Sequence, residues 1–592
     1  MTSAQRPSGR LPARALSVAS LFAAASLPFA AHAAPIERNL PPPPVSGEAP
    51  IAPPNALPAD QDAAPIGPAL TGIVVLTDAT GLASSPGAGV DVSRAPRLAG
   101  DTAALARFIG RPLSRKLIAE VEAEIARRYR DAGHPFVNLT TPEQDVTSGV
   151  LQIRALEFRL GKEAVTGPAA AQAEHLLDRI RLSHGDTIDS HALAQDLDWL
   201  NRYPFRHVSA QFSPGADTGY TDLSLQTATS KPWSVYAGYA NSGSPATGED
   251  RYFAGFQAAV PGLRDAFVSY QYTGSGDALF YGSSPFHAAP DPRYYSNAGR
   301  LVIPTLGRQD IEVTLNYVRS NQPVQAFLAR QTILEASVAY RAALSDFAPN
   351  IPGEAVVGVE AKRNTSHTLF SGVDIAHSAI DVFQFTVGYA LQVDDRFGRT
   401  SGEVTLHISP GDIGHDNTDA AFAAFSKVAG AKADYAYVAG DVTRYTSLPR
   451  LFGLQGFSLV NTLSGQYAGT SLPQTEQMGV GGASLVRGYT LDDGAFDTAV
   501  ALRNELRPPS FPVLRRTGRF ADAASPFVFV DAGYGHDAAP HGSAGLVSTG
   551  LGLDYRLGAH LSASIDGAWA LRNAGHTRVG DGRLESRVTL TF

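Results

Sequence analysis

The chain has 592 residues and 44% of them are hydrophobic, so it is long enough to bury more than one core. Only 18% are charged, against about 25% in an average soluble protein, and a formal net charge of −8 argues against a general nucleic-acid-binding surface. The absence of cysteine excludes disulfide frameworks, cysteine-ligated zinc and thiol catalysis.

Residues 1–33 have the organisation of a secretory signal peptide. Arginines lie at positions 6, 10 and 14, an apolar stretch follows over residues 15–25, and Ala31-His32-Ala33 supplies small residues for cleavage. A membrane anchor is the alternative, but Pro28 interrupts an apolar stretch shorter than the roughly 20 residues that a spanning helix needs. We therefore expect cleavage near Ala33.

Residues 34–70 are predicted to form a proline-rich linker. They contain eleven prolines, including four in a row at positions 41–44. Such a density of proline favours an extended, solvated chain over helices or sheets, and no obvious amphipathic helix is present.

Two successive units, residues 71–156 and 157–229, share a mixed α/β pattern of the order βααββ. In the first, a strand at 73–76 precedes a helix that Ser114 can cap, followed by strands at 134–140 and 149–160. In the second, a strand at 158–165 precedes a helix at 169–181, a helix capped by Asp189 or Ser190, and strands at 206–212 and 220–226. Each unit has the size of a small interaction domain.

From residue 230 to residue 592 the hydrophobic pattern has a period of two. In the last strand Leu584, Val588 and Leu590 share one face, while charged and polar residues occupy the other. Sixteen candidate strands start near residues 233, 251, 266, 297, 310, 331, 353, 382, 400, 434, 456, 499, 526, 545, 559 and 582. The even number and the apolar-out alternation predict a closed transmembrane β-barrel, with a large soluble β protein as the alternative.

One connection, residues 468–498, is too long for a hairpin, and loops of this length are usually functional or disordered. It contains a double glycine at 481–482 and then the segment Val486, Arg487, Gly488 and Tyr489. As the eleventh connection of a barrel that starts in the periplasm, it belongs to the exterior side. The residues alone favour a solvated loop arginine at position 487.

This segment resembles the V-R-G-Y tip of the sixth extracellular loop in the BamA-like superfamily of outer-membrane transporters. Phe529, Asp531 and Gly533 resemble that superfamily's F-x-D-x-G motif. Alternation along this strand allows Asp531 to face inward while the neighbouring valines face lipid.

Two further segments resemble the TpsB branch, the two-partner-secretion transporters of the haemolysin/haemagglutinin secretion-activation family. Near the end of the first α/β unit these residues are Pro142, Gln144 and Asp145, and at the end of a helix in the second they are Leu200, Asn201, Arg202 and Pro204. The resemblance runs from about residue 71 to the end of the chain. Two α/β units, rather than the five of a BamA, favour TpsB.

The resemblance implies two polypeptide-transport-associated (POTRA) domains in the periplasm, followed by a sixteen-stranded transmembrane β-barrel in the outer membrane of a Gram-negative cell. It implies that loop 468–498 folds into the lumen, where Arg487 pairs with Asp531. Phe592 would serve as the C-terminal outer-membrane signal read by the barrel assembly machinery.

The function that the resemblance implies is the export of one large unfolded partner exoprotein of TpsA type, such as a haemolysin or adhesin, without ATP. The POTRA domains would capture the partner's N-terminal secretion domain. An assembly factor that inserts other barrels and a passive porin are the alternatives.

No enzymatic chemistry, cofactor, metal or nucleic-acid partner is expected. The glycines at 479–482 lack the strand-to-helix context of a phosphate loop. Asp412, His415, Asp416 and Asp419 match no metal-ligand spacing and are interpreted as a polar turn.

Overall fold

The computed structural model describes residue 39 and residues 60–77, 81–84, 86–99, 102–282, 286–348, 351–395, 397–451, 453–514, 521–538 and 542–592. The predicted signal peptide lies outside the described residues. So does the predicted linker up to residue 59, with the exception of Asn39.

The first α/β domain contains a four-stranded sheet with a long helix packed against it. Its elements are β1 Pro65–Ala69, β2 Gly72–Thr77, β3 Gly89–Asp91, α1 Ala103–Ala106, β4 Pro112–Ser114, α2 Arg115–Asp131, β5 Val137–Thr140 and β6 Val150–Glu157. The sheet has the order β3-β2-β6-β5. Helix α2 begins where it does because Ser114 accepts a hydrogen bond from the backbone N–H of Leu117 at 3.1 Å. Its apolar stripe, including Val121 and Ile125, is fully buried.

The second α/β domain has a three-stranded sheet of order β7-β9-β8. Its elements are β7 Arg159–Thr166, α3 Ala173–Leu177, α4 Ser190–Leu200, β8 Arg206–Pro214 and β9 Tyr220–Thr229. Asp189 caps α4 by accepting from the N–H groups of His191 and Ala192.

The helix predicted over residues 169–181 is wrong in length. A short 3₁₀ turn at Ala170–Gln172 leads into α3, which ends at Leu177. The backbone N–H of Arg181 donates to Asp196 at 2.9 Å instead of to the preceding turn. The side chain of Asp196 on α4 thus takes over the bond that would have continued the helix.

The predicted linker boundary at residue 70 is also wrong, because β1 lies within the linker and pairs antiparallel with β4. Proline is tolerated in a strand whose N–H groups on one side need no partner. Among the described strands, β1 pairs only with β4, and its register is irregular. Ordered structure therefore begins before the point that proline content predicts.

The C-terminal part is a closed barrel of sixteen antiparallel strands, which confirms the predicted fold class. The strands of this part are β10 Trp233–Ala240, β11 Arg251–Ala259, β12 Phe267–Gly274, β13 Tyr294–Pro304, β14 Gln309–Val324, β15 Phe327–Ala343, β16 Glu354–Phe370, β17 Val373–Asp395, β18 Gly398–Pro410, β19 Asp434–Leu448, β20 Phe457–Ala468, β21 Met478–Gly479, β22 Ala495–Phe496, β23 Thr498–Arg507, β24 Asp522–His536, β25 Ser543–Leu557, β26 Leu561–Ala570 and β27 Gly582–Thr591. β21 and β22 form a small separate hairpin, and β10 closes the barrel against β27.

The two faces of the barrel differ as the alternation predicts. On β24, Val528 and Val530 are 53% and 51% exposed, whereas Phe529 and Asp531 are 2% and 0% exposed. The exposed apolar face is the one that a bilayer would cover. Among the described residues, no helix is both long enough and apolar enough to cross a membrane.

Candidate functional site

Residues 469–497, between β20 and β23, form a loop that folds back into the barrel; we call it the lumen loop. Inside it, β21 pairs with β22, and a further bridge joins Gly481 to Val486. Apolar side chains of the loop pack against the inner wall in one buried cluster: Val480, Val486, Tyr489 and Phe496 from the loop, and Ala499, Ala501, Leu546, Ala570 and Ala574 from the wall region. The lumen loop is therefore packed against the wall like the hydrophobic core of a folded domain.

Arg487 at the tip of the lumen loop is held by two hydrogen bonds to one carboxylate of the wall. Its Nε and Nη2 donate to the two carboxylate oxygens of Asp531 at 2.7 and 2.9 Å. Its guanidinium carbon lies 3.6 Å from the ring centroid of Phe529. The side chain of Arg487 is 2% exposed and that of Asp531 is 0% exposed. This is a bidentate, charge-assisted pair stacked on an aromatic face.

Glu505 on β23 is a second acceptor for Arg487 that was not predicted from the sequence. Nη1 of Arg487 donates to its carboxylate at 2.8 Å, and Arg503 and Arg507 donate to the same carboxylate at 3.2 and 2.6 Å. The sequence does contain a signal for this acceptor, because three charged residues at alternate positions of one barrel strand share a face, and that face must be the lumen. The tip arginine thus joins a network that spans β23 and β24.

Tyr489 and Gly488 contact a different part of the inner wall from the one that Arg487 binds. The hydroxyl of Tyr489 lies 2.7 Å from the carbonyl oxygen of Arg572 and accepts a hydrogen bond from the N–H of Val547 at 3.2 Å. Gly488 has a φ of +85°, and a Cβ there would lie 3.1 Å from the Cβ of Ala568. Both the backbone conformation and the close approach favour glycine.

Gly533 leaves room for the lumen loop beside the wall. A Cβ at this position would lie 2.4 Å from Cγ1 of Val480 and 2.9 Å from Cγ2 of Val486. The glycine of the F-x-D-x-G segment is thus explained by contact with the loop that carries Arg487.

Gln144 in the first α/β domain completes the edge of a strand. Its side-chain amide donates to the carbonyl of Gln152 at 2.7 Å and accepts from the N–H of Gln152 at 2.8 Å, and it also donates to the carbonyl of Pro142. Asp145 accepts from the N–H of Thr147, and this bond lowers the pKa of Asp145. These motif residues therefore shape the loop that leads into β6.

Asn201 performs the same task in the second α/β domain. Its amide exchanges hydrogen bonds of 3.0 and 2.7 Å with the backbone of Val208 on β8. Leu200 is buried in the core of this domain, and Pro204 lies half-buried in the turn between α4 and β8. Arg202, by contrast, leaves its domain: it stacks on Trp199 at 4.0 Å and donates to Glu354 of the barrel at 3.1 Å.

Other ion pairs join the second α/β domain to the turns of the barrel. Arg206 donates twice to Asp265, at 2.7 and 2.9 Å, and His175 lies 3.1 Å from the same carboxylate. Burial of Asp265 would raise its pKa, but the hydrogen bonds and charge of Arg206 outweigh burial and lower the pKa. The carboxylate therefore stays ionised at this contact.

Phe592 and Asn39 lie at opposite faces of the barrel. The backbone N–H of Phe592 donates to the carbonyl of Val235 at 2.9 Å, and its ring is exposed on the outer face. The side-chain amide of Asn39 donates to the hydroxyl of Tyr294, a buried residue at the exterior end of β13. Residue 39 thus lies against the inner wall.

The acidic segment after β18 forms hydrogen-bonded turns and a helix, α5 Asp419–Ser426. Asp416 pairs with Arg363, and the side chain of Asp419 accepts from the N–H of Ala433. Throughout the described part of the chain, no group of three or more His, Asp or Glu side chains is arranged to hold a metal ion.

Comparison with known proteins gives a family model and several relatives. The model of the haemolysin secretion/activation proteins ShlB/FhaC/HecB matches residues 219–555, more than half of the chain. The outer membrane transporter CdiB-2 of Burkholderia pseudomallei (strain 1026b) is 24% identical over 417 residues, covering 68% of this chain and 66% of that protein. The outer membrane transporter CdiB of Dickeya dadantii (strain 3937) is 26% identical over 151 residues, covering 25% of this chain and 26% of that protein.

Solved structures show the same fold. CdiB from Escherichia coli matches with a TM-score of 0.59 at 18% identity, over 91% of this chain and 94% of that one. CdiB from Acinetobacter baumannii matches with a TM-score of 0.51 at 15% identity, over 89% and 90% of the two chains. At these identities the likeness concerns the fold alone.

Proposed function

The chain belongs to the haemolysin secretion/activation family, and from this premise we propose that it is an outer-membrane pore that exports one large unfolded partner protein of TpsA type. The two curated relatives carry the name outer membrane transporter. The observation that carries the proposal is the lumen loop, whose tip arginine is bound to the inner wall by Asp531. Such a loop can hold the lumen closed until a substrate arrives.

The inner wall supports passage of a hydrated, extended chain. Buried polar side chains occupy the face opposite the exposed apolar one, including Gln271, Thr273, Asn316, Glu335 and Gln384. Polar groups that line a lumen can exchange hydrogen bonds with an unfolded backbone as it passes. A folded or purely apolar cargo would not suit this lining.

Capture of the partner's N-terminal secretion domain is proposed to occur on the α/β domains, by addition of a strand to an exposed sheet edge. Among the described strands, β5 pairs only with β6, and β8 pairs only with β9. Because Asn201 already bonds the backbone of Val208, the available edge of β8 begins beyond that residue. We expect the α/β domains to lie in the periplasm, where such a partner would arrive.

No catalytic activity and no ATP use are part of the proposal. Folding of the partner outside the cell would supply direction, because a folded protein cannot return through the pore. Insertion of the barrel itself would depend on the barrel assembly machinery.

The proposal is tested by comparing the surface and medium proteomes of the native strain with those of a deletion strain. The deletion strain is complemented with the wild type, with Arg487→Ala, or with Arg450→Ala, a control at an exposed arginine between β19 and β20. We expect one large protein to disappear on deletion and to return with the wild type and with Arg450→Ala. Equal outer-membrane amounts of each variant are verified by immunoblotting.

Other outcomes favour the other two functions. Loss of many outer-membrane proteins on deletion would favour an assembly factor. A change in solute permeability with no change in any exported protein would favour a passive channel.

A further inference from the structure

The base of the lumen loop carries a buried acid, Glu476, far along the loop from Arg487. It ends a 3₁₀ turn, Gln474–Glu476, two residues before the start of β21. Its side chain is only 1% exposed. Since an ionised carboxylate is costly to bury without partners, its surroundings need an explanation.

Three strands of the barrel wall supply the partners of Glu476. Lys362 on β16 donates to the two carboxylate oxygens at 2.9 and 2.8 Å. Gln384 on β17 and Tyr437 on β19 donate to the same carboxylate at 2.9 and 2.8 Å. One loop residue thus binds side chains from three different strands.

The ammonium group of Lys362 is shared with a second carboxylate of the wall. Glu360 lies 3.1 Å from Lys362 Nζ and accepts from Gln384 at 2.6 Å. His407 stacks on Tyr437 with ring centroids 4.4 Å apart. Lys362 therefore pairs with two acids, and Nδ1 of His407 lies 3.9 Å from the second of them, Glu360.

The lumen loop is consequently attached at two separate places on the wall. Counted from β10, strands β16, β17 and β19 are the seventh, eighth and tenth of the barrel, whereas β23 and β24, which bind Arg487, are the twelfth and thirteenth. The loop must cross part of the lumen to reach both attachments. Releasing only the tip leaves the base in place.

We propose that Glu476 and Lys362 form a second latch, which positions the base of the lumen loop against β16, β17 and β19 and closes that side of the pore. The inference deepens the proposed function and rests on it for its meaning in export. Glu476 and Lys362 are positioning residues, because they act through the loop. Opening of the pore can be measured without any partner protein.

The test uses the purified full-length protein in planar lipid bilayers. Lys362→Met and Glu476→Gln are each expected to raise the open probability at least about tenfold, because each removes the buried ion pair that joins the base of the lumen loop to β16. The matched control is Lys432→Met, which removes an ion pair with Asp419 whose two side chains are more than half exposed. That control is expected to behave as the wild type.

Charge exchange separates a latch from general damage to the fold. The double variant Lys362→Glu with Glu476→Lys retains one cation and two carboxylates when Glu360 is counted. It is expected to restore the low open probability that each single change loses. If the exchanged pair is as open as the single variants, positioning by this ion pair is wrong.

A reversible crosslink gives a second readout in one folded protein. Because the chain has no cysteine, Lys362→Cys with Glu476→Cys supplies two unique thiols for a reducible bismaleimide. We expect a low open probability when the thiols are bridged and a high one after reduction. Equal open probability in the two states would overturn the latch.

The outcomes also distinguish this inference from the proposed function. If Lys362→Met leaves the channel closed while Arg487→Ala opens it, the second latch is wrong and export through the lumen is unaffected. If no variant ever conducts and no exported protein depends on the chain, the proposed function fails, and the inference fails with it.

Discussion

Asp196 on α4 and Arg308 in a turn of the barrel form an ion pair of 2.8 Å whose side chains are 1% and 4% exposed. Asp196 also binds the side chain of Arg181 at 2.8 Å. The pair therefore ties the second α/β domain to the barrel through groups that are almost completely removed from water. Together with the Arg206–Asp265 pair, it fixes this domain at the entrance to the lumen.

Asp196→Asn is expected to loosen this attachment. The substitution leaves Arg308 with Asp346 as its remaining carboxylate partner and removes the buried ion pair that joins the domain to the barrel, so we expect a lower urea midpoint for release. The measurement is urea-induced release, followed by the fluorescence of Trp199 on α4 after replacement of the other two tryptophans. Asp217→Asn, at an exposed position of the same domain, is the control, and an equal midpoint for both variants would contradict the prediction.

Arg487→Lys is expected to open the channel, although the substitution keeps the positive charge at this position. A lysine ammonium cannot donate in parallel to Asp531, reach Glu505 and stack on an aromatic ring at once. The open probability of Arg487→Lys in planar bilayers should therefore lie within about twofold of that of Arg487→Ala. Arg363 bridges Asp381 and Asp416 at a half-exposed site, so Arg363→Lys serves as the control and should conduct as the wild type. If Arg487→Lys has the low open probability of the wild type, the bidentate and stacking geometry of Arg487 is not required for closure.

Gly533→Ala is expected to push the lumen loop away from the wall. The new methyl group would overlap Val480 and Val486, and overpacking of this kind costs about 1–3 kcal/mol. Trypsin cleavage after Arg487 in the folded protein, measured by mass spectrometry, should become faster. At the control position Gly567 the nearest atom is 3.9 Å away, so Gly567→Ala should change nothing. Adding Val480→Ala to Gly533→Ala should slow the cleavage again.

Acidification is expected to loosen the contact between the two α/β domains. His134 is buried there, with Nδ1 3.2 Å from the carbonyl oxygen of Ile188. Burial, and secondarily the charge of Arg97, lower the pKa of His134 below 6.5. Below pH 6.5 the unfolded chain therefore binds a proton that the native state resists. Stability is fully present above pH 6.5 and is lost as the pH falls towards the lowered pKa.

Hydrogen exchange of the Ser190 amide reports on this contact, because that N–H donates to the carbonyl of Gly133 at 2.7 Å. Its protection should decrease between pH 7 and pH 5 in the wild type. His134→Gln should abolish this dependence, and His207→Gln, at an exposed position of β8, should retain it. A pH-independent protection in the wild type would contradict the prediction.

The barrel could be predicted from local patterns, whereas the contact of Arg487 with Asp531 was expected only from the family resemblance, because the residues alone favour a solvated arginine. The period of two along residues 527–534 is enough by itself to place Asp531 inside the barrel and Val530 outside. Among the predicted strand starts, that of β17 is the least accurate: the sequence predicts residue 382, whereas the strand begins at Val373. Residues 373–377 are exposed, and a register shift opposite Thr368 and Leu369 interrupts the alternation there.

The contacts that pattern could not predict are those between distant parts of the chain. Asp196 and Arg308 are 112 positions apart, and nothing in either segment indicates the other. Glu476 is one of four acids in the lumen loop, and only the fold brings Lys362 to it. Periodicity specifies which face of the barrel a strand residue occupies. Ion pairs between the lumen loop and the wall depend on the path of the loop through the lumen, which periodicity does not specify.

Photo-crosslinking during export shows directly whether the partner passes through the lumen. Thr314 and Leu315 are neighbours on β14: the hydroxyl of Thr314 lies 2.6 Å from that of Ser337 on the inner face, and Leu315 is 56% exposed on the outer face. A photo-crosslinking amino acid is placed at one position or the other in cells that produce the exported partner. We expect crosslinks to the partner from position 314 and none from position 315. Crosslinks from 315 alone, or from neither position while the partner reaches the surface, would contradict export through the lumen.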